Sequence, residues 1–201
     1  MGKVRNPIKK SSIQKKNKII EKGFELICSK GYHNITCVDI AAYASVSTGI
    51  IYQYFENKRD IFIEGIKNYS NKIMLPMNDI IEDRVITKDN LRDILNNIID
   101  EFIKTHTIRR EAHEEIMAMS YLDQEVSSIF NHQEIEITEK IALIFKKNNF
   151  ETENIEEKIH IIYGLIDNYC HEIVYHKHDL LNYDNMRIII LDMIENVLIK
   201  K

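Results

Sequence analysis

The sequence predicts an all-α protein with two parts: an N-terminal head of three helices containing a helix-turn-helix, and a larger C-terminal helical domain. Apolar residues recur at spacings of three and four along most of the 201 residues, and no useful stretch alternates polar and apolar residues as a strand does. The chain also has only two prolines and six glycines, so few residues interrupt long helices.

Charge is distributed unevenly along the chain. Residues 1–60 carry a net charge of +6 and residues 61–201 one of −10, which together give the −4 of the whole chain. Residues 1–18 contain seven of the cations and no acidic residue. A basic end on an acidic protein indicates either a polyanionic partner for that end or a solvated tail, and both interpretations stay open at this point.

Composition argues against a secreted or membrane protein. The three cysteines, Cys28, Cys37 and Cys170, are odd in number and have no paired spacing, which favours reduced thiols in the cytoplasm. No apolar run reaches the ~18 residues of a membrane span, and the basic N-terminus lacks the apolar segment of a secretory signal.

The first helix is predicted to begin at Ser11, which has capping-box spacing with Gln14, and to end at Gly31. Residues 1–10 ahead of it are polar, basic and without periodicity, so we expect a disordered basic arm there. A second capping box, formed by Thr36 and Asp39, opens helix two.

The helix-turn-helix itself is predicted at about residues 36–55. Helix two covers about 37–44, the turn is 45–47, and helix three covers about 48–55. Asn57 and Asp60 have the spacing that opens a fourth helix, and Pro76 is expected to end that helix near Met74.

The remaining chain is predicted to be helical at about 77–84, 88–108, 111–121, 123–148, 153–178 and 185–200. The prediction therefore divides the protein into the arm at 1–10, the helix-turn-helix head with its connecting helix at 11–74, and a C-terminal domain at 75–201.

Helix three is too short to bury all of its large side chains. Val46, Ile51 and Phe55 are predicted to face inward. The side chains predicted at the outside or the rim are Thr48, Gly49, Ile50, Tyr52, Gln53 and Tyr54. An exposed tyrosine can offer its hydroxyl to a phosphate, although core aromatics of a helical bundle would have the same spacing.

Two further features of the head favour a bound anion. Thr36 and Ser47 lie at helix N-termini, although for Thr36 a plain capping role is the competing interpretation. Lys58 falls in the first turn of helix four, where a cation opposes the helix dipole, so an external anion would explain its position.

These residues resemble the TetR-type bacterial transcriptional regulators. The pattern VSxGxxYxYFxxK at 46–58 follows an Ile-Ala helix at the distance seen in that family, and the similarity covers about residues 13–62. The other matching positions are Gly31-Tyr32, Thr36, Asp39-Ile40-Ala41, Ala44 and Ile61-Phe62. The rest of the chain resembles the family only in length and helicity.

The resemblance implies a homodimer with a DNA-binding head and a C-terminal ligand-binding and dimerisation domain. No enzymatic activity and no cofactor are predicted. The resemblance also implies contacts to the backbone of a double-stranded operator from Thr36, Ser47, Tyr52, Tyr54 and Lys58. Contacts to base edges are implied for Thr48, Gly49, Ile50 and Gln53.

Two positions depart from the family pattern. Ser45 stands where glycine is usual, so the turn must tolerate or avoid a positive φ there. Gly23 replaces a usual alanine in helix one, which predicts a modest local loss of stability.

The last two predicted helices are apolar on more than one face, which indicates burial on two sides. One side would meet the protein's own core and the other a second copy of the chain, although a single thick core would give the same pattern. The candidate interface residues are Ile159, Ile162, Gly164, Ile166, Ile173, Ile190, Ile194 and Val197.

A small apolar or amphipathic effector is predicted to bind among the aromatic, methionine and histidine residues of the middle helices. The candidates are Phe102, His106, Met117, Met119, Tyr121, Phe130, Tyr163 and Asp167, most of which could equally be core residues. His171, His176 and His178 do not share a helix face, so no metal site is predicted from them.

We therefore predict a ligand-released repressor acting as a homodimer on a palindromic operator. The alternatives are a helical interaction protein whose head no longer binds DNA, or an enzyme built on a helical bundle. The intact set of residues from Ser47 to Lys58 argues against the first. No catalytic triad, phosphate-binding loop or dinucleotide fingerprint supports the second.

Overall fold

The computed structural model describes residues 7–81, 84–108, 110–150 and 153–199, with the backbone alone at residues 71–81 and 108. Every regular element among these residues is helical, which confirms the all-α prediction. Most of the predicted basic arm, residues 1–6, lies outside the described residues.

The helices of the described chain are α1 Lys10–Lys30, α2 Cys37–Tyr43, α3 Thr48–Tyr54, α4 Lys58–Ile81, α5 Leu91–Ile108, α6 Arg110–Ser120, α7 Gln124–Lys147, α8 Ile155–Tyr175 and α9 Tyr183–Leu198. A short 3-10 turn, Tyr32–Asn34, lies between α1 and α2.

Contacts divide the described residues into two units. The N-terminal unit contains the chain up to Asn71 together with Glu111–Ile129, and the C-terminal unit contains the remainder. The sequence-based division at residue 74 lacks the second stretch of the N-terminal unit, because a chain that returns to an earlier unit leaves no mark in local periodicity.

The two ends of α1 differ in how well they were predicted. No side chain caps its N-terminus, where Lys9 is the capping residue, so the predicted capping box of Ser11 and Gln14 is wrong. At the other end Gly31 adopts φ 87° and its N–H donates to the carbonyl of Ile27, as predicted. Only glycine reaches this φ without strain, so the helix ends there.

Helix α4 does not end near Met74 but continues through Pro76 to Ile81, so the separate helix predicted at 77–84 is wrong. Proline removes one N–H donor and crowds the preceding turn, which costs about 3 kcal/mol but does not forbid a helix. A penalty of this size is small beside the contribution of tertiary packing to a long helix.

The core of the N-terminal unit depends on close approach of helices at two glycines. A Cβ atom on Gly65 would lie 2.5–2.7 Å from Phe24, and one on Gly23 would lie 2.6 Å from Cγ2 of Ile61. The stability loss predicted for Gly23 is therefore wrong in sign at this site, because an alanine there would collide with the fully buried Ile61.

Arg59 in the first turn of α4 holds the segment Glu111–Ile129 to the rest of the N-terminal unit. Its Nε and Nη2 donate to the two carboxylate oxygens of Asp123 at 2.6 and 2.8 Å, and Nη2 also reaches Glu125 at 2.8 Å. Asp123 in turn accepts the backbone N–H of Glu125 at the start of α7. Hydrogen bonds from Arg59 lower the pKa of Asp123 to about 2.

We expect this carboxylate to make the stability of the N-terminal unit depend on pH below about 4. Because the pKa of Asp123 is depressed in the folded state, its contribution is present above the unfolded pKa of about 3.9 and is lost as pH falls towards about 2. In urea unfolding, the free energy of unfolding of the native chain should fall with pH in this window. In Asp123→Asn that fall should be smaller, because the contribution of Asp123 is absent. Asp89→Asn, an exposed control, should keep the full slope, and equal slopes in all three proteins would contradict the assignment.

The C-terminal unit is built on an apolar core to which α5, α7, α8 and α9 contribute. Polar contacts fix α9 on α5: Arg92 pairs with Asp192 and Glu195, and Arg187 pairs with Asp100. The buried hydroxyl of Tyr169 donates to the carbonyl of Tyr183, which joins α8 to the start of α9. None of the helices among the described residues is long and apolar enough to cross a bilayer.

Candidate functional site

The helix-turn-helix geometry follows from local hydrogen bonds. Thr36 and Asp39 form the predicted capping box, in which the Thr36 hydroxyl donates to Oδ2 of Asp39 at 2.5 Å and lowers the pKa of that carboxyl. The turn after α2 places Ser45 at φ 56°, so the turn tolerates the positive φ that the glycine of the family pattern would adopt freely.

Helix α3 buries more of its surface than predicted. Ile51 and Phe55 face inward as expected, at 0% and 3% exposure. Tyr54 is also buried, at 5% exposure, so its predicted place at the rim is wrong. Ile51 and Tyr54 are three residues apart and share the face of α3 that meets the core, and Phe55, the residue after the helix, is buried as well.

The predicted DNA contacts other than Thr36, Tyr54 and Lys58 lie on the outward face of α3 or at its N-cap. Tyr52 is 53% exposed, Ser47 and Gly49 are exposed, and Thr48, Ile50 and Gln53 are partly exposed. Ser47 occupies the N-cap position, but its side chain makes no capping hydrogen bond. A Cβ on Gly49 would meet only the Ser47 hydroxyl oxygen, at 3.9 Å, so open space lies over this turn.

Lys58 has partners inside the protein. Its Nζ donates to the carbonyls of Tyr32 and Ile35 at 2.6 and 2.7 Å and lies 4.4 Å from the centre of the Tyr32 ring. These contacts tie the start of α4 to the chain between α1 and α2. An external anion is therefore not needed to explain a cation at this position, which corrects the interpretation drawn from the helix dipole.

The C-terminal unit contains an apolar cavity between its own helices. The space open to the centre of a water-sized sphere is about 40 Å³, within about 550 Å³ of non-atom space that includes open solvent. Of the predicted ligand-binding residues, Phe102 and Tyr163 line it. The other lining residues are Ile86, Leu91, Ile94, Leu95, Ile98, Ile141, Phe145, Ile159, Ile162, Ile166 and Leu198. Their apolar periodicity predicted burial, but periodicity alone cannot tell a cavity wall from a filled core.

The other predicted ligand residues do not line this cavity. His106 is buried and stacks on Phe102 at 5.7 Å between ring centres, and Asp167 is partly exposed one turn beyond Tyr163. Tyr121 is 82% exposed in the N-terminal unit. Met117 and Met119 also belong to that unit, and Phe130 is partly exposed in the C-terminal unit.

The two apolar stripes predicted for the last helices are present, but most of the residues named for the interface lie on the inner stripe. Ile159, Ile162, Ile166, Ile190 and Ile194 are at most 7% exposed and belong to the core of their own chain. Ile173 is partly buried against that core, whereas Gly164 is exposed and Val197 is 40% exposed.

The outer stripe consists of different residues. On α8 it includes Ile161, which is 67% exposed, and Gly164, over which a Cβ would meet nothing within 4 Å. On α9 it includes Ile189, Met193 and Val197, which are 56%, 50% and 40% exposed at a spacing of four. Both stripes contain apolar residues at helical spacing, so the sequence could not distinguish them.

Helix α8 ends at Tyr175, three residues before its predicted end. His176 and His178 therefore lie beyond it, and both are exposed. His171 lies within the helix and faces other side chains of the C-terminal unit, and burial lowers its pKa.

Comparisons with known proteins show that the N-terminal residues are similar to bacterial regulatory proteins. Residues 19–64 match the family model of bacterial regulatory proteins, tetR family. The chain is 33% identical over 78 residues to the fatty acid metabolism regulator protein of Bacillus subtilis (strain 168), a match that covers 39% of this chain and 40% of that protein. It is 42% identical over 55 residues to the HTH-type transcriptional regulator HbdR of Aromatoleum sp. (strain CIB), covering 27% and 24% of the two chains.

The fold of the whole chain also has a solved counterpart. A crystal structure from Mesorhizobium loti that carries the label of a TetR-family transcriptional regulator superposes with a TM-score of 0.75 and covers 94% of this chain and 97% of its own. The two sequences are 15% identical, so this similarity concerns the fold alone.

Proposed function

Because the N-terminal domain of this chain belongs to the tetR family of bacterial regulatory proteins, we propose that the protein is a transcriptional regulator that binds operator DNA as a homodimer and is released by a small effector. The observation that carries the proposal is the outward face of α3, which is short, neutral, open over Gly49 and rich in groups that can bond to bases. The proposed function requires no catalytic step, and a regulator of chromosomal genes would act in the cytoplasm.

The outward face of α3 suits the major groove. Gln53 can form paired hydrogen bonds with an adenine, Thr48 can bond to several base edges, and Ile50 can contact a thymine methyl group. Gly49 allows the backbone to come close to the bases. Ser47 and Tyr52 would bond to phosphates and set the register of the head on the duplex.

The remaining family positions would act more indirectly. The Thr36 hydroxyl donates its hydrogen bond to Asp39, and Tyr54 is buried. Lys58 binds two backbone carbonyls. We assign these three residues first to holding the shape of the head, and phosphate contacts from them come second.

The outer stripe of α8 and α9 is the proposed surface for the second copy of the chain. Ile161, Ile189, Met193 and Val197 leave apolar surface exposed, and Gly164 would let a partner helix approach closely. A two-fold contact uses the same stripe on both chains, and two heads joined in this way suit a palindromic site.

The apolar cavity is the proposed effector site. Its walls are aliphatic and aromatic and expose no polar atom, so an apolar molecule or the apolar part of an amphipathic one would fit it. The effector would act by population shift, favouring a state in which the two heads no longer match the spacing of the half-sites.

Selection of the full chain against a random duplex library tests the function. We expect an inverted repeat whose half-site centres are about 34–36 Å apart, or a multiple of that distance, because two related heads bind in neighbouring turns. Gln53→Ala should lose about 1–3 kcal/mol of discrimination at one base pair of each half-site.

Gln124→Ala is the matched control, since Gln124 is an exposed glutamine at the start of α7 and away from α3 in sequence. It should return the same repeat as the native chain. The proposal is contradicted if the selection enriches no sequence and the chain shows only salt-sensitive binding to any duplex.

A further inference from the structure

The first turns of α1 carry lysines on the face that the second half of the helix buries. Lys9, Lys16 and Gly23 follow one another at a spacing of seven residues, about two helical turns, so they share one face. Gly23 is buried, and a Cβ atom there would lie 3.1 Å from Cγ2 of Ile40 in α2. The face that packs on the helix-turn-helix therefore continues towards the N-terminus as a basic stripe, which consists of Lys9, Ser12 and Lys16.

Lys16 places the basic stripe beside the end of α3. Its Nζ lies 5.5 Å from the centre of the Phe55 ring, and Phe55 is the residue that follows α3. Tyr52 and Gln53, on the outward face of α3, precede Phe55 by only three and two residues. Because α3 is only seven residues, or about 10 Å, long, the stripe borders the surface that is proposed to enter the major groove.

The lysines of the stripe have no acidic partner among the described residues. Lys104 in the C-terminal unit, by contrast, pairs with Glu101 at 3.0 Å. The first acidic residue of the chain is Glu21, and neither Lys9 nor Lys16 forms a salt bridge within the described part of the chain. Cations near the start of a helix also oppose its dipole, so an external anion would offset a charge arrangement that the free protein leaves unbalanced.

We propose that the basic stripe binds phosphates of operator DNA beside the bases that α3 contacts. The inference rests on the proposed operator binding and adds a second contact surface to each head. Lys9 and Lys16 each neutralise a phosphate, and the Ser12 hydroxyl donates a hydrogen bond to a phosphate oxygen. The seven residues from Lys9 to Lys16 cover about 10 Å, which corresponds to about three base pairs at about 3.4 Å each.

A duplex suits the stripe better than an anionic membrane does. A basic helix binds a membrane by burying its apolar face among the lipids. The apolar face of α1 is used inside the protein, where each of its large side chains is at most 5% exposed: Ile19, Ile20, Phe24 and Ile27. The remaining chemistry of the stripe is positive charge beside a helix-turn-helix, which matches the backbone of DNA.

The salt dependence of operator binding tests the proposal. The double change Lys9→Gln and Lys16→Gln removes both charges of the stripe, and glutamine has a helix propensity similar to that of lysine. Each contact occurs twice in a dimer, so the slope of log K against log salt should fall by about 3.6, at about 0.9 for each of about four phosphates. The repeat selected from a random library should stay the same, because phosphate contacts carry no sequence information.

The double change Lys140→Gln and Lys147→Gln is the matched control. Both lysines are exposed on α7 and are seven residues apart, so the same charge is removed at the same spacing from the C-terminal unit. This variant should keep the native slope. Circular dichroism of both double variants should match the native chain, because Lys9 is exposed and Lys16 is only partly buried.

The proposal is overturned if the native chain selects its repeat and the variant at Lys9 and Lys16 binds that repeat with the native slope. The basic segment is then a solvated one, although operator binding stands. It is also overturned if the control lowers the slope equally, or if only binding to phosphatidylserine vesicles depends on Lys9 and Lys16. A native chain that selects no sequence contradicts the proposed function itself, and with it this inference.

Discussion

Ile194→Lys is expected to unfold the C-terminal unit, whereas Met193→Lys, at the next residue, is expected to leave it folded and to separate the two chains of the dimer. Ile194 is fully buried in the core of its own chain, and Met193 is 50% exposed on the outer stripe. A lysine at 194 would bury an unpaired ammonium group and remove a packed side chain, at a cost of about 4 kcal/mol or more. That is a large part of the 5–15 kcal/mol that stabilises a typical domain.

At position 193 the same ammonium group would stay in water in the single chain. In the proposed dimer, however, the two-fold axis brings two such charges into an apolar contact. The substitution should therefore weaken dimer formation and leave the stability of the single chain unchanged. Sedimentation should give twice 23.8 kDa for the native chain at micromolar concentration and 23.8 kDa for Met193→Lys. Specific DNA affinity should fall with the dimer, although the head is unchanged.

Circular dichroism separates the two outcomes. Met193→Lys should retain the helical signal, and Ile194→Lys should lose a large part of it. A dimeric Met193→Lys would place the interface elsewhere, and a fully folded Ile194→Lys would show that the core assignment of α9 is mistaken.

Lys58→Met is expected to lower the stability of the N-terminal unit by about 2–3 kcal/mol. The change removes two hydrogen bonds from a charged group and leaves the carbonyls of Tyr32 and Ile35 without that donor. It also removes the cation over the Tyr32 ring. Methionine keeps the length and most of the apolar stem, so the loss reports the ammonium group.

Lys67→Met is the control for Lys58→Met. Lys67 lies on the same helix and is exposed, with only a 3.6 Å pair to Glu64, so its loss should change stability by less than about 0.5 kcal/mol. The salt dependence of DNA binding, measured where Lys58→Met is fully folded, provides the second readout. A slope reduced by about one with unchanged stability would instead make Lys58 a phosphate contact.

The head could be predicted closely because its signals are local. The capping box of Thr36 and Asp39, the glycine at 31 and the turn before Ser47 all act within a few residues, and the structure has each of them as expected. The start of α4 at Lys58 follows from the same kind of signal. The predicted end of α4 near Met74 was wrong because it considered only the local cost of Pro76 and not the packing that stabilises the whole helix.

Burial within the head was decided by tertiary packing. Tyr52 and Tyr54 are two residues apart with the same side chain, yet one is 53% exposed and the other 5%. Which of the two faces the core depends on how α3 packs against α2. The partners of Lys58 are also distant, since Tyr32 and Ile35 precede it by more than twenty residues.

The sequence by itself determined the helical fold class, the site of the helix-turn-helix, the similarity of residues 19–64 to the tetR family and the presence of two apolar stripes on the last helices. These follow from periodicity, caps and a short motif, all of which are encoded within a few turns of helix. Only the tertiary structure decided which stripe is inner, which isoleucines line a cavity, and that His106 meets Asp167 and His171 about sixty residues later. The physical reason is that such contacts depend on the packing of α5 against α8 and α9, and local sequence does not record which of two apolar faces of a helix is buried.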